Sequence, residues 1–100
     1  MIYKIKLHNE AADDLYDLAF VIRENYHAPL TAQKYTKELF DTINSLKIFP
    51  AAFPVCTQKS VLEHYGHTTR RINYKKKAIL YTIVNNTVVV LRIIPANTIT

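Results

Sequence analysis

The chain has 100 residues, 49% apolar and 21% charged. That is the balance of an average soluble globular protein, so residues 1–100 read as one compact domain rather than a chain too polar to bury a core. Its longest aliphatic run, the four residues Val88 to Leu91, is far below the roughly 20 that a membrane-spanning helix requires. The net charge of +5 divides unevenly. Residues 1–50 carry six Lys/Arg against seven Asp/Glu, and residues 51–100 carry seven against one, so −1 and +6. A basic second half favours an acidic partner: nucleic acid, a ribosome or an acidic protein segment.

Ile2 to Leu7 alternates, with Tyr3, Ile5 and Leu7 on one face and Lys4 and Lys6 on the other, and reads as a strand rather than a secretory signal. Asn9 suits a helix N-cap, and Ala11, Leu15, Leu18, Ala19 and Ile22 recur at helical spacing, which predicts a helix over Glu10–Asn25. Asp13, Asp14 and Asp17 fall off that stripe and are expected on a solvated face. His8 and His27 sit at helix boundaries and read as local caps.

His27-Ala28-Pro29 breaks the pattern. A second helix is expected over Leu30–Phe49, with a core stripe of Ala32, Tyr35, Leu39, Ile43 and Leu46, stopped by Pro50. Residues 50–66, punctuated by Pro50, Pro54 and Gly66, read as a loop with at most a short turn of helix. Three strands follow, Thr68–Tyr74, Ala78–Val84 and Thr87–Ile94, the last two joined by a tight turn at Asn85-Asn86. Val88, Val90 and Ile93 do not share one alternating face, so the last strand is either covered on both sides or bulged. The order β-α-α-β-β-β predicts an α+β fold: a helical hairpin on one face of a four-stranded, mainly antiparallel sheet, with the amino-terminal strand at an edge.

Several side chains are candidates for function. Arg70, Arg71, Lys75, Lys76 and Lys77 form the densest basic cluster, suited to phosphate or to an acidic protein tail, and equally to a solvated turn. Arg70 and Arg71 point to opposite faces of a strand. Arg92 lies inside an aliphatic strand, where it must be paired, and an ion pair with a helix acid is favoured over a partner contact. His64 and His67 beside the basic strand have the chemistry of a general base but no orienting carboxylate except Glu63. Tyr74 and Tyr81 are read as core residues with the hydroxyl at the rim rather than as base-stacking platforms. The lone Cys56 has no partner for a disulfide, and one cysteine with four histidines shows no metal-ligand spacing; no metal and no cofactor are expected. A cytoplasmic protein is the expectation.

Tyr3-Lys4-Ile5-Lys6-Leu7 followed by Ala11-Ala12-Asp13-Asp14-Leu15, then Asn44-Ser45-Leu46-Lys47-Ile48-Phe49-Pro50, then Ala78 to Val84, a turn and Val88 to Ile94, resemble the RelE/ParE superfamily of toxins from bacterial type II toxin–antitoxin modules. The long hairpin ending in Phe49-Pro50 looks more like the ParE branch. The resemblance implies a growth inhibitor neutralised by a cognate antitoxin. Its ParE-like members inhibit DNA gyrase, and its RelE-like members cut mRNA on the ribosome. Cleavage without a metal needs basic residues with a Tyr or His, for which Arg71, His64, His67 and Tyr81 are the candidates here. The chain departs from the nuclease pattern twice. An arginine of the third strand is Ala78, and a basic tail is replaced by Pro95-Ala96-Asn97-Thr98-Ile99-Thr100. The expectation is therefore a toxin that binds its target, with Arg70, Arg71, Lys75, Lys76, Lys77 and Arg92 in the target or antitoxin surface. An mRNA endoribonuclease and an inactive antitoxin-binding protein are the alternatives.

Overall fold

A computed structural model describes residues 2–99. Strand β1 spans Lys4–Leu7 and runs straight into helix α1, Asn9–Phe20. The N-cap is His8 rather than Asn9: its ring nitrogen Nδ1 accepts the Glu10 N–H at 3.4 Å. A π-helical turn, Val21–Asn25, ends this helix, and His27 takes the left-handed conformation (φ 51°). Helix α2 runs over Pro29–Asn44 with proline in its first turn, where a missing N–H is harmless. It stops short of the expected Phe49 because Ser45–Lys47 tightens into a 3₁₀ turn.

The expected loop over residues 50–66 is more ordered than its sequence pattern. A 3₁₀ turn at Pro50–Ala52 is followed by α3, Lys59–Tyr65, closed by Gly66 at φ 109°. Three strands complete the chain: β2 over Arg70–Tyr74, β3 over Lys77–Val84 and β4 over Thr87–Pro95. The β3–β4 turn places Asn85 at φ 56°, a conformation that asparagine tolerates.

The sheet order is β1-β4-β3-β2, with β1 parallel to β4 and the other pairs antiparallel. Strand β4 is bulged. Leu80 faces Arg92 while Tyr81 faces Val90, leaving Leu91 as the extra residue. That one insertion resets the alternation, so Val88, Val90 and Ile93 enter one core with Ile79, Tyr81, Ile72 and Tyr74, beneath Ala11, Leu15, Leu39, Ile43 and Leu46. Both alternatives offered by the sequence are realised, because the opposite face is covered too. There Leu80 packs with Cys56 and Val61, and Leu62, Tyr65, Leu91, Ile94 and Ile99 close around them. The molecule is thus α+β with the helical hairpin on one face of the sheet and the short α3 on the other.

Candidate functional site

The cationic residues of the second half are close in sequence but do not share one surface. Arg70 follows the parity of Ile72 and Tyr74 and turns towards the end of the helical hairpin. Its guanidinium donates to the Phe53 carbonyl and, at 3.4 Å, to that of Ala51. Arg71 lies on the α3 side, where Nε donates to the Asn73 side-chain oxygen at 2.8 Å. It borders a cavity of about 250 Å³ with Cys56, Thr57 and Gln58. Burial pushes the Cys56 thiol above its ordinary range, and Arg71 opposes that only in part, so it is a poor nucleophile.

The β2–β3 turn carries Lys75 and Lys76, with Lys75 in the left-handed conformation (φ 51°). This geometry folds Lys75 back onto α2. Its ammonium lies 3.7 Å from the Glu38 carboxylate and 5.4 Å from the ring centres of both Tyr35 and Tyr74. The two rings meet edge to face at 5.2 Å. The Tyr74 hydroxyl donates to Glu38. That bond, ahead of the nearby lysines, holds the Glu38 carboxyl below its usual range, while burial and then Glu38 push the Tyr74 phenol up to about 12. Lys77 turns the other way, into a cavity of about 300 Å³ that it shares with Asp14, Asp17 and Arg92. Lys76 is exposed and makes no ion pair among the described residues.

Arg92 is held from α1. Its Nε and Nη2 contact the two Asp14 oxygens at 2.7 and 3.0 Å, and Nη1 reaches Glu10 and the Tyr65 hydroxyl, both at 3.4 Å. Asp14 also accepts the Ile93 backbone N–H at 2.9 Å. Asp14 is therefore not part of a solvated face: its side chain keeps 17% exposure, against 27% for Arg92. The Asp14 carboxylate raises the already high guanidinium pKa further, so Arg92 is a permanent cation locked to α1.

The acid–base candidates are dispersed. Tyr81 is fully buried and donates to the Pro50 carbonyl at 2.6 Å, and burial pushes its phenol up to about 12. Such a group neither meets a substrate nor ionises near neutrality, which removes it as a catalytic acid or base. His64 is exposed, its ring edge-on to Tyr65 at 4.5 Å, in a cavity with His8, Glu10 and Leu91 that excludes Arg71. His67 is exposed in the turn after α3. Among the described residues no three His, Cys, Asp or Glu side chains gather in a geometry for a metal ion.

Two participants escaped the sequence reading. Glu38 sits one residue before the buried Leu39 and looks like an ordinary helix acid; only its placement beside Tyr74 gives it a role. Phe40, 38% exposed on α2, walls two apolar grooves. One of about 390 Å³ lies between α1 and α2, and one of about 540 Å³ lies between β1 and α2. The signal for Phe40 was an aromatic next to the core stripe rather than on it.

A helical hairpin and a short helix sandwiching a β1-β4-β3-β2 sheet define the class: a RelE/ParE-type toxin fold. The described chain superimposes on the chromosomal ParDE toxin–antitoxin system from P. aeruginosa with a TM-score of 0.72 and 14% identity, covering 94% of this chain and 96% of that one. It matches the toxin–antitoxin complex RelBE2 from Mycobacterium tuberculosis with a TM-score of 0.66 and 17% identity, covering 95% and 99%. No curated protein sequence matches the chain significantly. The family model for the ParE toxin of the type II toxin–antitoxin system parDE matches residues 5–99. The chain belongs to the ParE toxin family and is the toxin component of a type II toxin–antitoxin module.

Proposed function

We propose that this toxin arrests growth by binding a cellular target, DNA gyrase being the first to test, and that an acidic antitoxin neutralises it in the cytoplasm. The observation that carries the reading is the dispersal of the four acid–base candidates. RNA cleavage needs a base, an acid and a cation around one phosphate. Here Tyr81 is sealed under Pro50, His64 and Arg71 line separate cavities, and His67 stands in an exposed turn. The remaining chemistry is that of a binding protein, with Lys76 and Arg71 left accessible in a half of the chain carrying +6. An antitoxin partner is consistent with the toxin–antitoxin complexes that share the fold.

The test is induction of the chain alone in a bacterial host, followed by two assays on the purified protein. The expected result is growth arrest with inhibition of gyrase supercoiling and intact mRNA on stalled ribosomes. Cleaved mRNA establishes the nuclease instead. Normal growth at confirmed expression establishes an inert antitoxin-binding protein.

A further inference from the structure

The rim where α2 meets the β2–β3 turn has the make-up of a cation site. Tyr35 and Tyr74 stand edge to face with ring centres 5.2 Å apart, and the Glu38 carboxylate lies beside them. Two electron-rich rings and one negative charge around a single position are the elements of an aromatic cage for an organic ammonium. These elements are fixed in place. Tyr74 is buried, its hydroxyl donates to Glu38 Oε2, and Glu38 precedes the fully buried Leu39 on α2. The same hydrogen bond, first among the causes, holds the Glu38 carboxyl below its usual range and so keeps it charged.

The position is taken by the chain's own lysine. Lys75 Nζ lies 5.4 Å from both ring centres and 3.7 Å from Glu38 Oε2. None of these contacts is close, and the Lys75 side chain keeps 59% exposure, so the hold on it is weak and open to competition. The cation rests against the same oxygen that accepts the Tyr74 hydroxyl. That suits the compact charge of an ammonium better than the two-pronged fork of a guanidinium. Lys34, one turn earlier on α2, adds positive charge near Glu38 without pairing with it, which limits the strength of the site.

We propose that Tyr35, Tyr74 and Glu38 form a binding site for a linear aliphatic amine, such as one end of a diamine or polyamine, and that Lys75 is its resident and exchangeable occupant. The choice of ligand follows from that occupant, because the Lys75 side chain is itself a butylammonium group. An incoming amine puts its ammonium where Lys75 Nζ lies and its methylene stem along the two rings. The displaced Lys75 then joins Lys76 in solvent, so amine binding leaves the turn with two unpaired cations in place of one. The site is independent of the toxin's target, and growth arrest judges that reading separately.

The probes are n-butylammonium and putrescine, titrated against the full chain, with sodium chloride at matched ionic strength and n-butanol as controls. The ring protons of Tyr35 and Tyr74 and the side-chain methylenes of Lys75 are followed by NMR. In the unsubstituted chain either amine is expected to shift both rings saturably, with a dissociation constant of millimolar order, and to move the Lys75 methylenes out of the field of the rings. Lys75→Gly empties the site without straining the turn, since glycine takes a positive φ freely. It should bind both amines about two- to tenfold more tightly, the factor set by the weak contacts that Lys75 gives up. Adding Glu38→Gln, which keeps an acceptor for Tyr74 but removes the charge, should weaken that binding by about tenfold. Lys75→Asn, also tolerant of positive φ, repeats the measurement if the glycine variant fails to fold. An absence of saturation in both Lys75 variants, equal shifts with sodium chloride or n-butanol, or unchanged binding after Glu38→Gln would each overturn the proposal. An affinity in Lys75→Gly no higher than in the unsubstituted chain would overturn the role of Lys75 as occupant.

Discussion

Strand β4 and strand β1 pose the same physical problem and solve it differently. Strand β1 pairs with β4 only as far as Val90, so β4 beyond the bulge offers unpaired backbone to the side of α1. There a carboxylate closes it: Asp14 accepts the Ile93 N–H and both nitrogens of an arginine fork. The outer edge of β1 also lies beside a helix, but there only the Tyr3 N–H is taken, by the Lys47 carbonyl, and an apolar groove runs along the rest. The first edge is closed by a side chain of α1, whereas the second is left with an apolar groove beside it.

The largest expected effect comes from breaking the closed edge. Arg92→Ala strands Asp14, and Asp14→Ala strands both Arg92 and the Ile93 N–H. Removing one member of a buried pair costs about 3–5 kcal/mol. With 27% exposure left on Arg92, the lower end of that range is expected in urea unfolding. Replacing both by apolar residues should be milder than either single change. A next-largest contrast pits Lys6→Pro against Ile5→Pro. The first removes a donor directed into the β1–β4 ladder and should destabilise by roughly 2–3 kcal/mol. The second spares the ladder but removes an aliphatic side chain packed against the core, and should destabilise by roughly 1–2 kcal/mol. A larger loss on Ile5→Pro than on Lys6→Pro would mean that side-chain packing, not the ladder, holds β1 in place.

A pH series sharpens the difference between core and rim. Tyr74 and Tyr81 hold their phenols neutral up to about 12, against an ordinary value of 10. Their contribution is complete below pH 10 and is lost as pH rises from 10 to 12, because the unfolded chain releases those protons first. Unfolding measured across that window should show a falling stability, flattened in part by Tyr81→Phe and in part by Tyr74→Phe. The smallest effect belongs to the turn. Lys75→Ala removes an exposed ion pair and ring contacts worth about 0.5–1 kcal/mol together, and gyrase inhibition in the same variant reports whether this lysine also meets a target.

Much of this was legible in the residues. The helical stripes of α1 and α2, the Asn85 turn and the broken alternation of Val88, Val90 and Ile93 all express local geometry: 3.6-residue and two-residue periods, and the conformational tolerance of asparagine. Helix α3 was barely legible because seven residues make only two turns, too few for a period to stand out from Val61 and Leu62 alone. The dispersal of the basic cluster was half legible. Parity separates Arg70 from Arg71, but nothing local sends Lys75 to Glu38 and Lys77 to the cavity lined by Asp14 and Asp17.

What the sequence by itself determined is the order of the strands and of the two long helices, the broken alternation of the last strand and the imbalance of charge between the halves, since each depends on neighbours a few residues apart. Tertiary structure alone decided which charges meet. Asp14 and Arg92 are 78 positions apart, and they pair because α1 crosses the sheet at the point where β1 ends and the bulge turns the β4 backbone outward. On the other side of the sheet edge, β1 borders α2 and the turn after it, which again only the tertiary fold brings together.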